Sequence, residues 1–435
     1  MPSSTPVRAL PFGSALSRGR TTPKVVIVGA GMVGLSTAWY LQEHGLDVVV
    51  VDRSGVSAGS SWGNAGWLTP GLAAPLNEPS VIKFGVEALM DPDSPLFVSL
   101  KPDPNLVRFL VGFGARCTPG TWTKYLQQYV PINARSLDAF DELNAGGVAE
   151  PTRDTDFIAA YLDPEHGDAL VNELTLFRDA GLEVGFRELP RSEFAAQAPL
   201  LSSNIQRAIH ITKQRFIDPG AYVESLADSV RARGGEIRIG ANVRAFHHGP
   251  DGVTAEMWSG DPIAADAVVI ATGAWLPTLA KRYGMKTYVQ AGRGYSFSVG
   301  VTEPSLRPVP TPYYFPRERV ACTPIGDRFR IAGTMEFDSV DAPLNPSRIT
   351  AIKRSSQPLM RHLDWNDHAD DWVGGRPVST DAKPLIGATK VPRVFVNGGH
   401  GMWGITLGPI SGKLLAEQIV TGRVPRELEP FNPLR

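Results

Sequence analysis

Lys24-Val25-Val26-Ile27-Val28-Gly29-Ala30-Gly31-Met32-Val33-Gly34 is the stretch on which the fold turns. Val25 to Val28 form a short, continuous β-branched run, the pattern of a strand buried on both faces of a parallel sheet. Leu35, Trp39 and Leu41 then recur at helical spacing as far as the breaker Gly45, and Val48-Val49-Val50-Val51 makes a second buried strand ending in Asp52. Strand, glycine turn, helix and strand compose a βαβ unit. In such a unit Gly29 permits the tight turn, Gly31 admits the close approach of a pyrophosphate, and Gly34 lets the helix pack on the sheet. Met32 and Val33 open the helix, whose free N–H groups and dipole favour an anion there. Asp52 is placed to accept hydrogen bonds from adenosine ribose hydroxyls, and its charge disfavours a 2′-phosphate. The pattern implies a bound dinucleotide, with Arg53 beside it.

Working outward, Gly59-Ser60-Ser61-Trp62-Gly63-Asn64-Ala65-Gly66 is a second loop of glycine and small hydroxyls. It is suited to bring donors from Ser60, Ser61, Asn64, Ala65 and Gly66 to the same ligand. Gly59-Ser60-Ser61-Trp62-Gly63 also matches the GxSxG pattern of a hydrolase nucleophile, which requires a strand directly before it and a helix directly after. Ser-Gly-Val-Ser-Ala precedes it and Asn-Ala-Gly follows, so the hydrolase reading is set aside. Further on, Asp218-Pro219-Gly220 restarts a helix through Arg233, and Ile237-Arg238-Ile239 reads as a strand. Ala267 to Ala271 form another buried strand that empties into Thr272-Gly273, which in a parallel sheet is the ligand edge. Val394-Phe395-Val396-Asn397 is a final strand, residues 398–406 its ligand loop, and residues 411–419 a helix. Short β-type runs at 295–299, 320–323 and 329–332 predict a mostly antiparallel unit between Lys281 and about Asp370. Leu106, Val107, Phe109, Leu110 and Phe113 predict a helix with an apolar stripe.

Composition narrows the function classes. With 43 basic and 44 acidic residues the formal net charge is −1, which supplies no global field toward nucleic acid. The two cysteines, Cys117 and Cys322, form neither a disulfide framework nor a CxxC metal pair, and a reducing, cytoplasmic compartment is the default expectation. The eight histidines, among them His247-His248 and His362 with His368, show no HExxH spacing, so no metal is expected. No apolar run approaches the ~18 residues of a membrane span. Residues 1–22 carry Arg8, Arg18 and Arg20, several serines and no acid; a disordered leader is expected, with an organelle transit peptide as the alternative.

Besides the opening motif, three stretches carry a family resemblance: Asn64-Ala65-Gly66 with the Pro-rich segment after it, Gly292-Arg293-Gly294-Tyr295-Ser296, and Asn397-Gly398-Gly399-His400-Gly401. With them the chain from Lys24 to about Gly422 resembles the D-amino-acid oxidase superfamily of FAD-dependent amine oxidoreductases, nearest its branch of small-subunit-type bacterial D-amino-acid dehydrogenases. Two departures stand out: Asp52 replaces the family's usual Glu, and Arg293-Gly294-Tyr295-Ser296 replaces its Lys-Gly-Tyr-Ser. The resemblance implies an α/β fold with a Rossmann-type FAD-binding domain, discontinuous over 23–75, 216–280 and 371–424. A mostly antiparallel α+β substrate domain over 76–215 and 281–370 would be inserted in it, and 425–435 would form a C-terminal tail. FAD would be held non-covalently, because glycine stands where the sarcosine-oxidase branch has its flavin-linking cysteine.

The resemblance also assigns roles. Val243 lies on the adenine side, and Gly401, Gly404, Ile405 and Thr406 belong to the flavin loop. Trp372-Val373-Gly374-Gly375-Arg376-Pro377 is similar to the family's Gly-Leu-Arg-Pro, whose arginine grips the substrate carboxylate. The planar donor fork of Arg376 suits that task. Of the aromatics Tyr288, Tyr295, Tyr313, Tyr314 and Phe315, Tyr295 and Tyr314 are expected in the pocket wall, with cross-strand core as the plain alternative. Trp403 would help shape that pocket. His400 would touch flavin or substrate, against a purely structural loop role. The implied reaction is oxidation of a free amino acid, the D-enantiomer, by hydride transfer from Cα to flavin N5, giving a 2-oxo acid and ammonia. Electrons would pass to O2 or to a quinone or other electron-transfer partner. The apolar stripe near Phe109 is expected in the core; the branch adds, as the alternative, peripheral association through it at the inner face of the membrane. Three rivals remain: a secondary-amine or glycine-type enzyme acting on hydroxyproline, sarcosine or glyphosate-like substrates; a nicotinamide dehydrogenase using the same glycines; and a non-catalytic flavin-binding scaffold.

Overall fold

The computed structural model describes residues 22–82, 85, 94–98, 103–249 and 252–435. The leader expected over 1–22 lies outside the described residues, apart from Thr22. The opening βαβ unit forms the centre of a six-stranded sheet, in the spatial order Leu385–Ala388, Val394–Gly398, Ala267–Ile270, Lys24–Val28, Asp47–Asp52, Glu236–Ile239. All neighbours run parallel except the first pair. Alternate side chains leave each strand on opposite faces. Val25, Ile27, Val48 and Val50 thus meet the helices Met32–Glu43, Pro219–Ala232 and Gly404–Thr421. Val26, Val28, Val49 and Val51 are covered instead by a three-stranded antiparallel layer, Val243–Gly249, Gly252–Met257 and Ile263–Ala265.

A second, ten-stranded sheet stands beside the first. Its main path runs Leu363–Ser379, Val289–Val301, Arg328–Phe337, Val320–Ile325, Tyr313–Phe315, Arg153–Tyr161, Arg207–Phe216, Trp67–Leu68. Pairing is antiparallel along it except between Tyr313–Phe315 and Arg153–Tyr161, and Leu96–Val98 adds a parallel edge to Arg328–Phe337.

Several boundaries differ from the sequence reading, each for a packing reason. The strand Leu363–Ser379 stays hydrogen-bonded to Val289–Val301 as far as Ser379, so 371–379 belong to the large sheet. The helices Pro119–Asn133 and Ser136–Ala145 insert Tyr129, Ile132, Phe140 and Leu143 into the core under the cofactor sheet. Residues 425–435 are no tail either: Leu428 and Phe431 are buried in that same core. The last helix begins at Gly404 rather than Ser411, because its first turn is already closed by Leu407 N–H bonding to the Trp403 carbonyl before Pro409 interrupts the ladder. The apolar stripe at 106–113 forms the helix Pro104–Gly114, with Leu106 and Phe109 in the core and Val107 and Val111 turned to solvent. Among the described residues no helix is long and apolar enough to cross a membrane, and no group of His, Cys, Asp and Glu is arranged to hold a metal ion.

Candidate active site

At the C-terminal edge of the parallel sheet the glycines do steric work. Gly29 sits at φ +118°, and a Cβ on Gly34 would lie 1.9 Å from the Gly29 carbonyl oxygen. Asp52 staples this turn: its Oδ2 accepts from Ala30 N–H at 2.9 Å, and its Oδ1 from Ser54 and Gly55 N–H at 2.8 and 3.1 Å. Ser61 Oγ reaches in from the second loop to accept from Met32 N–H at 3.3 Å. Thr272 Oγ1 is buried at the same edge without a hydrogen-bond partner, and Gly273 follows it at φ +53°. A helix N-terminus, small hydroxyls and an acid whose oxygens keep further lone pairs are the donor and acceptor set that a pyrophosphate and ribose require, so these residues fit FAD. Val243 opens the first strand of the antiparallel layer, two residues from Ala241, whose N–H bonds the Asp52 carbonyl at 2.9 Å. Arg53 is held at the rim, paired with Asp341 at 3.4 Å and lying 4.3 Å over the Trp275 ring.

The loop 60–66 bridges the two sheets through its carbonyls. Ser296 donates to Gly63 O at 2.8 Å, Thr323 to Ala65 O at 2.7 Å, and Arg330 to Trp62 O and Asn64 O at 2.9 and 3.3 Å. Ser60 donates to Gly375 O, and Gly66 N–H to Asn64 Oδ1 at 3.0 Å. The Thr406 hydroxyl donates to Trp67 O at 2.9 Å, tying the first turn of the last helix to the same loop, while Gly401 N–H donates to Pro377 O at 2.9 Å and Ile405 is core. Behind the loop opens a cavity of about 520 Å³. Ser60, Asn64, Ala65 and Thr406 line it on one side, and Tyr295, Tyr314, Trp372, Arg376 and Trp403 on others.

Arg376 is the decisive group. Its Nη1 donates to the Thr334 carbonyl at 2.6 Å, and no carboxylate among the described residues pairs with it. Burial alone pushes the guanidinium down to about 10. Its seat is made by the backbone: a Cβ on Gly294, on the neighbouring strand, would stand 2.1 Å from Nη2, and Thr334 adopts φ +63°, a rare conformation for a β-branched residue. Tyr295 is buried in the same wall but turns its hydroxyl away from the cavity to donate to Glu336. Glu336 also accepts from Arg293 at 2.8 Å and Arg348 at 3.1 Å. Burial, reinforced by Glu336, raises the Tyr295 phenol well above its usual range. Tyr314 packs edge-on to Trp67.

His400 does not face the cavity. The Ser411 hydroxyl donates to Leu407 O at 2.6 Å and therefore accepts from His400 Nε2–H, 2.9 Å away. Burial pushes the imidazole down to about 3, so it is a neutral pin between loop and helix, the structural role weighed for it against contact with flavin or substrate. Sequence reasoning missed Glu78, Glu173 and Arg319, which line the cavity around Tyr314. Glu173 is pushed up to about 8 by burial and by Glu78, against the opposing pull of Arg319. Nothing in their spacing could have united them. Trp372 stood in a quoted motif but was given no role.

The chain belongs to the family of FAD-dependent oxidoreductases called DAO, whose model matches residues 24–418. FAD is accordingly its cofactor. It is 29% identical over 408 residues to a D-amino acid dehydrogenase of Methylobacterium nodulans, covering 92% of this chain and 96% of that protein. Its fold is similar to glycine oxidase from Geobacillus kaustophilus (TM-score 0.71, 21% identity, 95% and 99% of the two chains) and to iminodiacetate oxidase from Chelativorans sp. BNC1 (TM-score 0.70, 20% identity, 94% and 98%).

Proposed function

We propose that the protein oxidises a free amino acid, the D-enantiomer, to the 2-oxo acid and ammonia. The observation that carries this reading is Arg376, a desolvated guanidinium without a carboxylate partner among the described residues, aimed into a cavity that the flavin-side loop also lines. An uncompensated buried charge is costly, and a substrate carboxylate would complete it with a bidentate pair. Residues 29–34, Asp52, Ser61 and Thr272 would hold the dinucleotide, and Ser60, Asn64, Ala65 and Thr406 would border its flavin end. FAD, when bound without a covalent link, supplies the two-electron sink for the Cα–H bond. The protein's own part is positioning and exclusion of water. Arg376 fixes the carboxylate, and the apolar wall of Leu76, Leu96, Leu110, Phe113 and Phe337 receives a side chain. That wall favours an amino acid with an apolar side chain over glycine. Neither Tyr295 nor His400 offers a base: the Tyr295 hydroxyl is engaged by Glu336 and His400 is bonded to Ser411. The carboxyls that line the cavity are those of Glu78 and Glu173, so the amine would arrive neutral or pass its proton to one of them or to water. The imino product hydrolyses in solution.

The test is anaerobic bleaching of the flavin band by matched D- and L-amino acids, with sarcosine, hydroxyproline, glycine and glyphosate alongside. Rapid bleaching by D-enantiomers with apolar side chains is expected, and bleaching by secondary amines alone would overturn the reading. Reoxidation of the bleached enzyme by air or by a soluble quinone then identifies the acceptor.

A further inference from the structure

A second cavity, of about 560 Å³, lies on the other side of the helix Pro104–Gly114 from the first. Phe109, Leu110 and Phe113 of that helix face the substrate cavity, whereas Arg108, Gly112 and Arg116 face the second. Its lining is strongly cationic: Arg108, Arg116, Lys124, Lys286, Lys383 and Arg435 converge on it, and Asp381 is the one acid among the lining residues. Asp381 is already occupied, because Arg435 grips both of its oxygens at 2.6 and 2.9 Å, while Lys383 stands 3.9 Å off. Lys383 is buried, 3.1 Å from Gln128 Oε1 and 4.6 Å over the Tyr125 ring. Burial and the nearby Arg435, Lys124 and Arg116 push its ammonium down to about 8. The whole chain carries a formal charge of −1, so this concentration of cations is local.

Like charges held together around a concave, water-filled space repel one another unless an anion neutralises them. Among the described residues Arg108, Arg116, Lys124 and Lys286 pair with no carboxylate, and Lys383 has only a distant share of the acid that Arg435 already holds, an excess beyond what a monocarboxylate would balance. We propose that this cavity is a binding site for a small polyvalent phosphate ligand, a pyrophosphate or phosphoester, separate from the oxidation site. Lys383 and Arg116 would meet it from the floor, and Lys124, Lys286 and Arg108 from the exposed rim. The same chemistry is offered by a soluble phosphorylated compound and by an anionic phospholipid headgroup.

The probes are sodium pyrophosphate, titrated calorimetrically into the FAD-loaded enzyme at fixed ionic strength, and phosphatidylglycerol vesicles in a co-sedimentation assay. Loaded enzyme keeps the dinucleotide edge from competing for pyrophosphate. Saturable binding is expected, weakened about tenfold or more by the rim double variant Lys124→Glu/Lys286→Glu. Those residues are exposed, so the variant should keep its flavin absorbance and Tm. Binding should persist in Arg376→Lys, which would separate it from the substrate cavity. Pyrophosphate binding identifies a soluble ligand, and vesicle binding alone, equally lost in the rim variant, identifies a headgroup. No saturable binding of either probe, binding unchanged in the rim variant, or binding abolished by Arg376→Lys would overturn the proposal.

Discussion

Two arginines on adjacent strands of the large sheet, the buried Arg293 and the half-buried Arg376, have opposite surroundings. Arg293 bonds Glu336, which Arg348 and Tyr295 also reach, and its other nitrogen donates to the carbonyls of Ala342 and Pro343 at 2.7 Å each. Arg376 has one carbonyl and a cavity. The first charge is neutralised and holds strands together. The second is left incomplete by the fold, so its desolvation can be offset only by something that enters. A compensated buried charge is architecture, and an uncompensated one marks where a ligand belongs.

The largest expected effect tests the architectural side. Arg293→Met leaves Glu336 short of a partner and should lower stability by about 3–5 kcal/mol, read as the denaturant midpoint of the FAD-loaded protein. Next comes the ligand side: Arg376→Lys keeps the charge but loses the fork, so kcat/KM should fall by roughly 2 kcal/mol or more while Tm holds or rises and FAD stays bound. Equal losses of stability in the two variants would break the comparison. Tyr295→Phe removes one hydrogen bond to Glu336 and should cost about 1 kcal/mol of stability with kcat nearly unchanged; a collapse of kcat would move Tyr295 to the chemistry. A pH-dependent effect concerns Glu173, whose folded carboxyl sits near 8 against an ordinary 4.5. Between those values the native state keeps a proton that the unfolded chain has lost, so stability falls as pH rises from about 4.5 to about 8 and is flat above. Glu173→Gln should therefore raise Tm by an increment absent at pH 4.5 and full at pH 8.5.

How much of this was written in the sequence depends on how local each feature is. The opening motif was legible because strand, turn, helix and acid are contiguous, and each of Gly29, Gly34 and Asp52 answers a constraint from its near neighbours. Arg376 was singled out by resemblance, but its seat was not visible: Gly294 and Thr334 come from two other strands, and only sheet register brings them under the guanidinium. The group of Glu78, Glu173, Arg319 and Tyr314 combines four distant segments and leaves no periodicity to read. A glycine-rich ligand loop suggests an exposed His400, whereas the ring is buried and its Nε2 is bonded to Ser411 from the following helix. The helices at 119–145 were placed with the substrate unit by sequence adjacency, although their apolar faces seek the cofactor sheet.

The seat of Arg376 has a consequence for how this protein can change. The guanidinium is set by main chain, through the Thr334 carbonyl and the space left by Gly294, with Met335 Sδ 3.9 Å from Nη1. On the proposed function, Leu76, Leu110 and Phe337 can then vary, in natural drift or in a mutant library, without displacing Arg376. New substrate ranges should arise at those wall positions, while almost any replacement of Gly294 is barred. The chain separates what it must keep from what it is free to explore.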